Sequence, residues 1–363
     1  MKIENIENNR KLEFDILDED VSIVNSLRRT LMTDIESLVF RGFPHDSNNI
    51  NIEINNSRFH NEYIKQRISC IPVLYNVIEK FDIFVNNYYF EVNVKNESDE
   101  KILVTTNDFK LYDIKSKEPK KKNYFPKYEK NGIPICYLYP RVNDNEKCEE
   151  IKIKMNLYVG TQKEDACWNM VSKCLYYNIE DNTKIEEIKK SFKPDSIELK
   201  DFQILDSQRY YKKNQYHMVI ESVGVFENID LIKLACKKII YKLENLIKEM
   251  NNNNESFKSP QTLLIDDEKI YHLYKEKTSE DVKYILRLEN EDYTLGKLIE
   301  KHLSLEIYKY VAFLKEHPHD SYSFIKFIFK NKDVSDINVI NELVKTLQLV
   351  IDKYKKIIDI FKE

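Results

Sequence analysis

Glycine, alanine and histidine are scarce in this chain, and the catalytic motifs that depend on glycine and histidine are missing. The 363 residues include five glycines, three alanines and seven histidines. Gly160-Thr161-Gln162-Lys163 lacks both the second glycine and the Lys-Ser/Thr ending of a phosphate-binding loop. His317-Pro318-His319 has no third metal ligand at a sensible spacing, so a structural turn is favoured there. Because no Ser-His-Asp or Cys-His set can be assembled, an enzyme that acts alone is disfavoured.

Cysteines at metal-binding spacing are absent as well. The six cysteines stand at positions 70, 136, 148, 167, 174 and 236, and no two of them form a Cys-x-x-Cys pair. This spacing supports neither a zinc site nor a disulfide framework. We therefore expect reduced, mostly buried thiols, with no metal and no other cofactor.

The chain also lacks a basic charge balance and a long apolar run. Its formal net charge of −4 disfavours a protein whose main task is to hold a phosphate backbone. Met1–Asn5 does not resemble the start of a secretory signal, and no uncharged run approaches the roughly 18 residues of a membrane span. With 42% hydrophobic residues, we expect a soluble, intracellular protein of two or three domains.

The chain does contain one strand–turn–helix pattern twice, in Phe14–Leu31 and again 272 residues later in Leu286–Leu303. Each copy begins with alternating apolar residues, which predict a strand with one buried face. An acidic turn follows, then Ser22 or Thr294 as the expected helix cap, then apolar residues at helical spacing. Neither copy carries a nucleophile, base or ligand set, so the repeat predicts assembly rather than chemistry.

Each copy is matched by a long amphipathic helix further along the chain. Apolar residues recur every three or four positions in Asp230–Met250 and in Ile340–Phe361, the second helix being capped by Asp336 or Asn338. Strand-like sequence precedes both helices. These apolar stripes are typical of ordinary core-facing helices. Their regular spacing also indicates that the two helices pack on each other.

These patterns predict an α+β fold made of two dimerisation units that form an intramolecular pseudo-twofold dimer. The first unit comprises residues 1–44 and 211–250, and residues 45–210 form a mostly β insert within it. The Asn-rich segment 251–260 is the expected linker, and residues 261–363 form the second unit.

The insert contains one basic run, Lys115–Lys122. A solvated loop is the expected structure for such a run, and a phosphate contact is the alternative. The alternative would make the protein a stand-alone nucleic-acid-binding transcription regulator, which the net charge disfavours.

Four segments of the chain carry a resemblance to a known family. In order, they are Val24-Asn25-Ser26-Leu27-Arg28-Arg29-Thr30-Leu31, Gln66–Val73, Lys163–Trp168 and Glu221–Gly224. The first resembles the first helix of the large α-like subunits of cellular RNA polymerases: bacterial α, archaeal D and the third-largest subunit of eukaryotic RNA polymerase II. The other three are similar to the Arg-Leu-Gly-Leu-Ile-Pro, Lys-Glu-His-Ala-Lys-Trp and Glu-Ser-Val-Gly segments of that family. Two features depart from the family: the insert has no cysteine metal motif, and Cys167 stands where lysine is frequent.

The C-terminal hundred residues resemble the small α-like partner, archaeal L or the eleventh eukaryotic subunit. Asp292–Ile299 is similar to Asp-His-Thr-Leu-Gly-Asn-Leu-Leu, and Val311–His319 to Phe-Ala-Gly-Tyr-x-x-Pro-His-Pro. The order of segments implies one chain that carries both subunits. Such a fusion, with lysine-rich usage typical of A/T-rich codons, resembles those of large nucleocytoplasmic DNA viruses.

The resemblance implies a non-catalytic assembly platform of a DNA-directed RNA polymerase. Its implied partners are the largest and second-largest subunits and small zinc-binding subunits, with DNA contacted only through the complex, no membrane and no homo-oligomer. The implied location is the host cytoplasm, in a viral factory, and the virion; a non-viral protein would be nuclear.

Arg28 and Arg29 are about 100° apart on a helix and cannot both face the core. The resemblance implies that this pair contacts the second-largest subunit, where the planar guanidinium groups would suit carboxylates. At the 272-residue offset of the repeat, the second copy has Glu300 and Lys301 instead.

Trp168 is expected either in the core of the insert or as an anchor on a partner. The residues expected to bind large subunits are Asn25, Arg28, Arg29, Arg67, Lys163, Glu164 and Trp168. Those expected in the dimer core are Val24, Leu27, Leu31, Ile239, Leu243, Leu246, Leu295, Leu298, Ile299, Leu347, Val350 and Tyr354.

Overall fold

The computed structural model describes residues 1–74, 81–120, 124–126, 132–143, 147–252, 269–277, 281–303, 307–331 and 334–362. The predicted α+β class is confirmed: within these ranges, antiparallel sheets alternate with helices. In chain order the strands are β1 Lys2–Asn8, β2 Leu12–Leu17, β3 Ser37–Val39, β4 Ile50–Asn55, β5 Tyr88–Lys95, β6 Ile102–Thr105, β7 Lys110–Asp113, β8 Pro119–Lys120, β9 Pro134–Leu138, β10 Glu150–Asn156, β11 Tyr158–Gly160, β12 Val171–Glu180, β13 Tyr211–Ser222, β14 Tyr271–Lys277, β15 Val282–Glu289, β16 Tyr308–Leu314 and β17 Tyr322–Phe329. The helices are α1 Val21–Thr33, α2 Asn61–Ser69, α3 Phe81–Asn87, α4 Asn182–Lys189, α5 Ile197–Ile204, α6 Asn228–Asn252, α7 Tyr293–His302 and α8 Asp336–Ile360.

The chain divides into two compact units. The paired unit comprises residues 1–31, 173–221 and 228–363, and the insert unit comprises residues 32–172 and 222–227. The main segment of the insert unit, residues 32–172, begins and ends earlier than the predicted 45–210; residues 173–210 belong to the paired unit, where β12 joins the first sheet. Apart from Asn251 and Asn252, which end α6, the predicted linker lies outside the described residues.

Two four-stranded sheets of the paired unit have the same internal topology. Their orders are β1-β2-β13-β12 and β14-β15-β17-β16, so in each sheet the first and second strands are followed by the fourth and then the third. Ile16 of β2 pairs with Tyr216, and Leu286 of β15 pairs with Ile325, both in antiparallel ladders. The repeated strand pattern of the sequence thus occupies the second position of both sheets.

The two helix caps of the repeat lie two residues earlier than predicted. The backbone N–H of Ser22 donates to Asp20 Oδ1 over 2.9 Å, and that of Thr294 donates to Asp292 Oδ1 over 2.8 Å. The prediction that Ser22 and Thr294 supply the caps was therefore wrong. A carboxylate serves here because it accepts an otherwise unpaired N–H and is stabilised by the partial positive charge of the helix N-terminus.

The cap of the C-terminal helix α8 is also a different residue from the predicted ones. Ser335 has extended backbone angles, and its hydroxyl accepts from the backbone N–H of Asn338 over 3.3 Å. The prediction of Asp336 or Asn338 was wrong because both of these residues already lie within the helix, where a side chain cannot accept from the next turn in this way.

The long helices α6 and α8 pack on each other and bury their predicted stripes. Both run for 25 residues, which provides the length for an extended helix–helix contact. The buried apolar residues that recur at three- and four-residue steps are Ile232, Cys236, Ile239, Leu243, Leu246 and Met250 in α6, and Leu343, Leu347, Val350, Tyr354, Ile357 and Phe361 in or directly after α8.

The insert unit is β-rich, as expected for this part of the chain. Its largest sheet has the order β4-β10-β5-β7-β8, and β3 pairs with β11 while β6 pairs with β9. Its core is strongly aromatic: the ring of Phe40 lies 5.6 Å from that of Phe90 and 6.3 Å from that of Phe125. This apolar centre fixes the loops and helix α2 around it.

Candidate functional site

A buried hydrogen bond joins the first repeat copy to the last helix within the paired unit. The Ser26 hydroxyl of α1 and the Tyr354 hydroxyl of α8 lie 2.5 Å apart, and both side chains are buried. Ser26 also donates to the Ser22 carbonyl over 2.6 Å, which leaves its oxygen to accept from Tyr354. Burial raises the pKa of Tyr354 above its ordinary value, so the phenol remains a donor. This contact connects α1 to α8.

Two ion pairs at the N-terminal ends of α1 and α7 are reciprocal. Arg29 Nη2 of the first copy lies 2.7 Å from Asp292 Oδ2 of the second, and its Nε donates to Thr294 Oγ1 over 2.7 Å. Lys301 Nζ lies 3.5 Å from Asp20 Oδ2. Residues 20 and 29 correspond to 292 and 301 at the 272-residue offset of the repeat. Each copy therefore places one cation on the cap carboxylate of the other.

A second reciprocal set involves the long helices. Lys353 Nζ of α8 lies 2.6 Å from Glu19 Oε1, and Lys242 Nζ of α6 lies 3.0 Å from Glu291 Oε1. Glu19 and Glu291 again correspond at the repeat offset. The two lysines correspond when α6 and α8 are aligned by their buried stripes, at an offset of 111 residues. Reciprocal contacts of this kind are the signature of a twofold interface.

The partial burial of these pairs and their charged neighbours shift the pKa values of Asp20 and His302. Burial alone would raise the pKa of Asp20, but hydrogen bonds from Ser22 and the nearby Lys301 ammonium hold it below its usual range. His302 lies beside Lys353, with 3.2 Å between its Nε2 and Lys353 Nζ. Its Nδ1 contacts the Leu298 carbonyl oxygen at 2.8 Å. Burial, the largest cause, together with Lys353 lowers the pKa of His302. The ring is therefore neutral and accepts from Lys353.

The pseudo-twofold relation breaks down at the centre of the interface. Ser26 corresponds to Leu298 at the repeat offset, and Tyr354 corresponds to Leu243 at the helix offset. All four side chains are buried. One half of the interface thus contains a hydrogen-bonded polar pair where the other half contains two leucines.

Gly296 in α7 permits a close approach that no other residue allows. A Cβ at this position would lie 1.9 Å from the ring of Phe313 on β16. The corresponding position in α1 is Val24, which is buried. The glycine of the Thr-Leu-Gly segment is therefore explained by packing of α7 on its own sheet.

The predicted dimer-core residues all lie in the interior of the protein. Each has an exposed fraction of at most 4%, and those of the two long helices lie on the stripes along which α6 and α8 pack. They are Val24, Leu27, Leu31, Ile239, Leu243, Leu246, Leu295, Leu298, Ile299, Leu347, Val350 and Tyr354.

The predicted partner-binding residues of α1 face in two directions. Arg29 is directed to Asp292 and Thr294 within the chain, whereas Arg28 Nε donates to Asn25 Oδ1 over 3.1 Å. Both Arg28 and Asn25 are half-buried. Sequence alone could not show which of the two arginines is directed to the second copy, because both side chains are compatible with an α-helix.

The other predicted partner-binding residues lie in the insert unit and have internal contacts. Lys163 Nζ is 3.2 Å from the buried carboxylate of Asp34. Glu164 forms an ion pair with Arg41, whose guanidinium lies 3.7 Å from the centre of the Tyr158 ring. Trp168 is buried, 3% exposed, which agrees with the core alternative for this residue.

Arg67 connects α2 to a neighbouring strand of the insert unit. Its Nη2 donates to the Pro134 carbonyl over 2.7 Å, and Nη1 donates to the Tyr63 hydroxyl over 3.2 Å. The segments 66–73 and 163–168, which the resemblance singled out separately, meet at one open pocket of about 600 Å³. The pocket is lined by Phe43, His60, Glu62, Tyr63, Gln66, Ser69, Cys70, Asp165 and Cys167.

Sequence reasoning missed the charged residues that join the two halves. Glu19-Asp20 and Glu291-Asp292 occur at the same place in both copies, but the pattern along the chain predicts only acidic turns there. Their identical offset was the available signal.

In the part of the chain that the structure describes, no cluster of three or more His, Cys, Asp or Glu side chains could hold a metal ion. No described helix is long and apolar enough to cross a bilayer. The basic run begins in an exposed turn at Lys115–Lys117, and Lys121 and Lys122 lie outside the described residues.

A comparison with protein families shows to which family the chain belongs. A family model described as the RNA polymerase Rpb3/Rpb11 dimerisation domain matches residues 13–243, more than half of the chain. The chain belongs to this family. By its description, the family is a dimerisation domain of RNA polymerase subunits.

A comparison with curated proteins finds a distant relative. A conjugation stage-specific protein of Tetrahymena thermophila is 26% identical over 181 residues, which are 44% of this chain and 54% of that protein. The chain therefore spans about half the length of this relative. The family match ends at residue 243, before the second repeat copy begins.

Proposed function

We propose that this protein is a non-catalytic assembly platform of a multisubunit DNA-directed RNA polymerase in which both α-like partners occupy one polypeptide. The single observation that supports the fusion best is the reciprocal set of ion pairs between the two repeat copies. Arg29–Asp292 and Lys301–Asp20 use corresponding residues, as two subunits related by a twofold axis would.

Joining the two partners has a physical benefit for assembly. Separate subunits lose an estimated 4–15 kcal/mol of rigid-body freedom when they associate. A covalent connection replaces that step by an intramolecular one, at an effective concentration on the order of mM for a short linker. The self-complementary helix faces are then occupied within one chain, and on this proposal the protein does not form a homo-oligomer.

The proposed partners are the largest and second-largest polymerase subunits and small zinc-binding subunits. Arg28 and Asn25, which are half-buried and hydrogen-bonded to each other, are the residues of α1 proposed to contact the second-largest subunit, while Arg29 is directed to Asp292 of the second copy. In the insert unit, Arg67, Lys163, Glu164 and Trp168 are proposed to shape a second contact surface rather than to supply free charges. DNA would be reached only through the complex.

The proposed source is a large nucleocytoplasmic DNA virus, from the fused order of segments and the lysine-rich composition. The corresponding location is the viral factory of the host cytoplasm and the virion; a cellular protein of this kind would act in the nucleus. Neither proposal affects the assembly role.

Native co-purification tests the assembly role. A tagged protein isolated at moderate salt from the cells in which it is made should bring down two much larger chains that mass spectrometry identifies as polymerase subunits. Isolation as a lone monomer would contradict the proposal.

Charge reversal of Arg28 tests its proposed contact with the second-largest subunit. Arg28→Glu should yield a folded protein that recovers much less of the second-largest subunit, whereas the matched reversal of the exposed Arg10, whose side chain is 88% accessible, should recover the normal amount. Equal recovery by both variants would exclude Arg28 from the contact.

A further inference from the structure

The open pocket of the insert unit is lined by two thiols that lie side by side. Cys70 follows α2 directly and is exposed, and Cys167 is half-buried in the short helical turn Ala166–Trp168. The Cys167 thiol donates to the carbonyl oxygen of Ser69, with 3.6 Å between sulfur and oxygen. Because that oxygen is only four covalent bonds from Cβ of Cys70, the two side chains are within reach of each other.

The electrostatic surroundings of Cys167 indicate the same proximity. Burial, the Asp165 carboxylate and the Cys70 thiol itself all raise the pKa of Cys167. Cys167 is therefore protonated at neutral pH, and Cys70 is the thiol that a reagent from solution meets first. The remaining cysteines do not line this pocket; Cys136 and Cys236 are buried elsewhere in the core.

We propose that Cys70 and Cys167 are an oxidant-responsive pair, which a low-molecular-weight disulfide converts into an intramolecular disulfide between α2 and the Ala166–Trp168 turn. Disulfides of intracellular proteins are usually transient and redox-sensing, and an accessible thiol beside a second thiol is the arrangement they require. The proposal concerns the chemistry of the pocket and does not depend on the polymerase role.

The reaction proceeds by two thiol–disulfide exchanges. The Cys70 thiolate attacks one sulfur of the reagent, forming a mixed disulfide and releasing one thiolate of the reagent, which takes up a proton. Cys167 then loses its proton and attacks the Cys70 sulfur, releasing the second reagent thiolate, which is protonated in turn. In sum, two protein thiols and one disulfide give one protein disulfide and two small thiols. The raised pKa of Cys167 slows the second exchange at neutral pH.

Oxidised glutathione is the probe for the full-length protein. After incubation at pH 8 and removal of the reagent, denatured protein should have two fewer titratable thiols than the six of the reduced chain. A tryptic digest without reductant should contain the peptide Ile68–Lys80 joined to Glu164–Lys173, the peptides that carry the two cysteines. The closing rate should increase with pH from 7 to 9, since Cys167 must ionise.

Three serine variants separate the roles of the thiols. Cys70→Ser should abolish the loss of both thiols, and Cys167→Ser should stop at a stable glutathione adduct on Cys70. The matched control Cys148→Ser, outside the pocket, should still form the Cys70–Cys167 link. Circular dichroism and gel filtration verify folding of each variant.

The peptide map of the unaltered protein decides the question even if a variant does not fold. An unchanged thiol count would overturn the proposal. Two other results would overturn it as well: a lasting glutathione adduct on Cys70 in the presence of Cys167, and a crosslink between other cysteines.

Discussion

Arg29 of the first repeat copy lies 2.7 Å from Asp292 of the second, and Lys301, which occupies the place of Arg29 in the second copy, lies 3.5 Å from Asp20. The two pairs are the same contact made in opposite directions. Each carboxylate also caps the helix of its own copy, so one residue both starts a helix and receives the cation of the other half.

Reversing the charge of Arg29 should destabilise the paired unit. In Arg29→Glu, the new carboxylate faces Asp292 and the interface loses an attraction and gains a repulsion. Because both side chains are partly exposed, we expect a loss of about 1 kcal/mol in the free energy of unfolding. Because Asp292 also caps α7, the matched control is the neutral change Arg29→Gln, which removes the attraction without adding the repulsion and should cost less. Urea unfolding at low salt measures both variants; equal losses in the two would contradict direct pairing of Arg29 with Asp292.

The hydroxyls of Ser26 and Tyr354 should be energetically coupled. Ser26→Ala leaves the buried Tyr354 hydroxyl with only the Ile23 carbonyl, 3.4 Å away, and should cost about 1–2 kcal/mol. Tyr354→Phe should cost about 1 kcal/mol. The double variant should cost less than the two single changes combined, by roughly 0.5–1 kcal/mol. A double-variant cycle by urea unfolding checks this, and strict additivity would contradict the hydrogen bond.

Stability should decrease in mild acid because of His302. Its pKa is lowered in the folded protein, while the unfolded chain titrates at about 6.5. As the pH falls below that value, the unfolded state binds a proton that the folded state does not, so unfolding becomes easier. His302→Gln cannot titrate and should lose less stability between pH 7.5 and pH 5.5 than the unaltered protein. An identical loss in both proteins would argue against this role for His302.

Gly296→Ala should destabilise the protein although alanine favours helices. Helix propensity alone predicts a gain of about 1 kcal/mol, whereas overpacking against the ring of Phe313 predicts a loss of about 1–3 kcal/mol. The sign of the change in thermal unfolding temperature therefore separates the two effects. Adding Phe313→Leu, which removes the ring that the new methyl group meets, should recover part of the loss.

Local patterns in the sequence predicted much of the fold. The alternation around Phe14 and Leu286 predicted the second strand of both sheets, and the stripes of α6 and α8 predicted their mutual packing. These features depend on residues a few positions apart, which periodicity describes directly. The caps were missed because serine, threonine and aspartate are all good acceptors at a helix N-terminus, and only backbone geometry selects among them.

By itself, the sequence determined that the chain contains two copies of one strand–turn–helix unit, a β-rich insert and a resemblance to polymerase assembly subunits. Only the tertiary structure decided that Arg29 is directed inward to Asp292, that Glu19 meets Lys353 across 334 residues of chain, and that Trp168 is buried. The physical reason is that an ion pair or a buried ring depends on where distant segments meet, and a pattern along the chain carries no information about that distance.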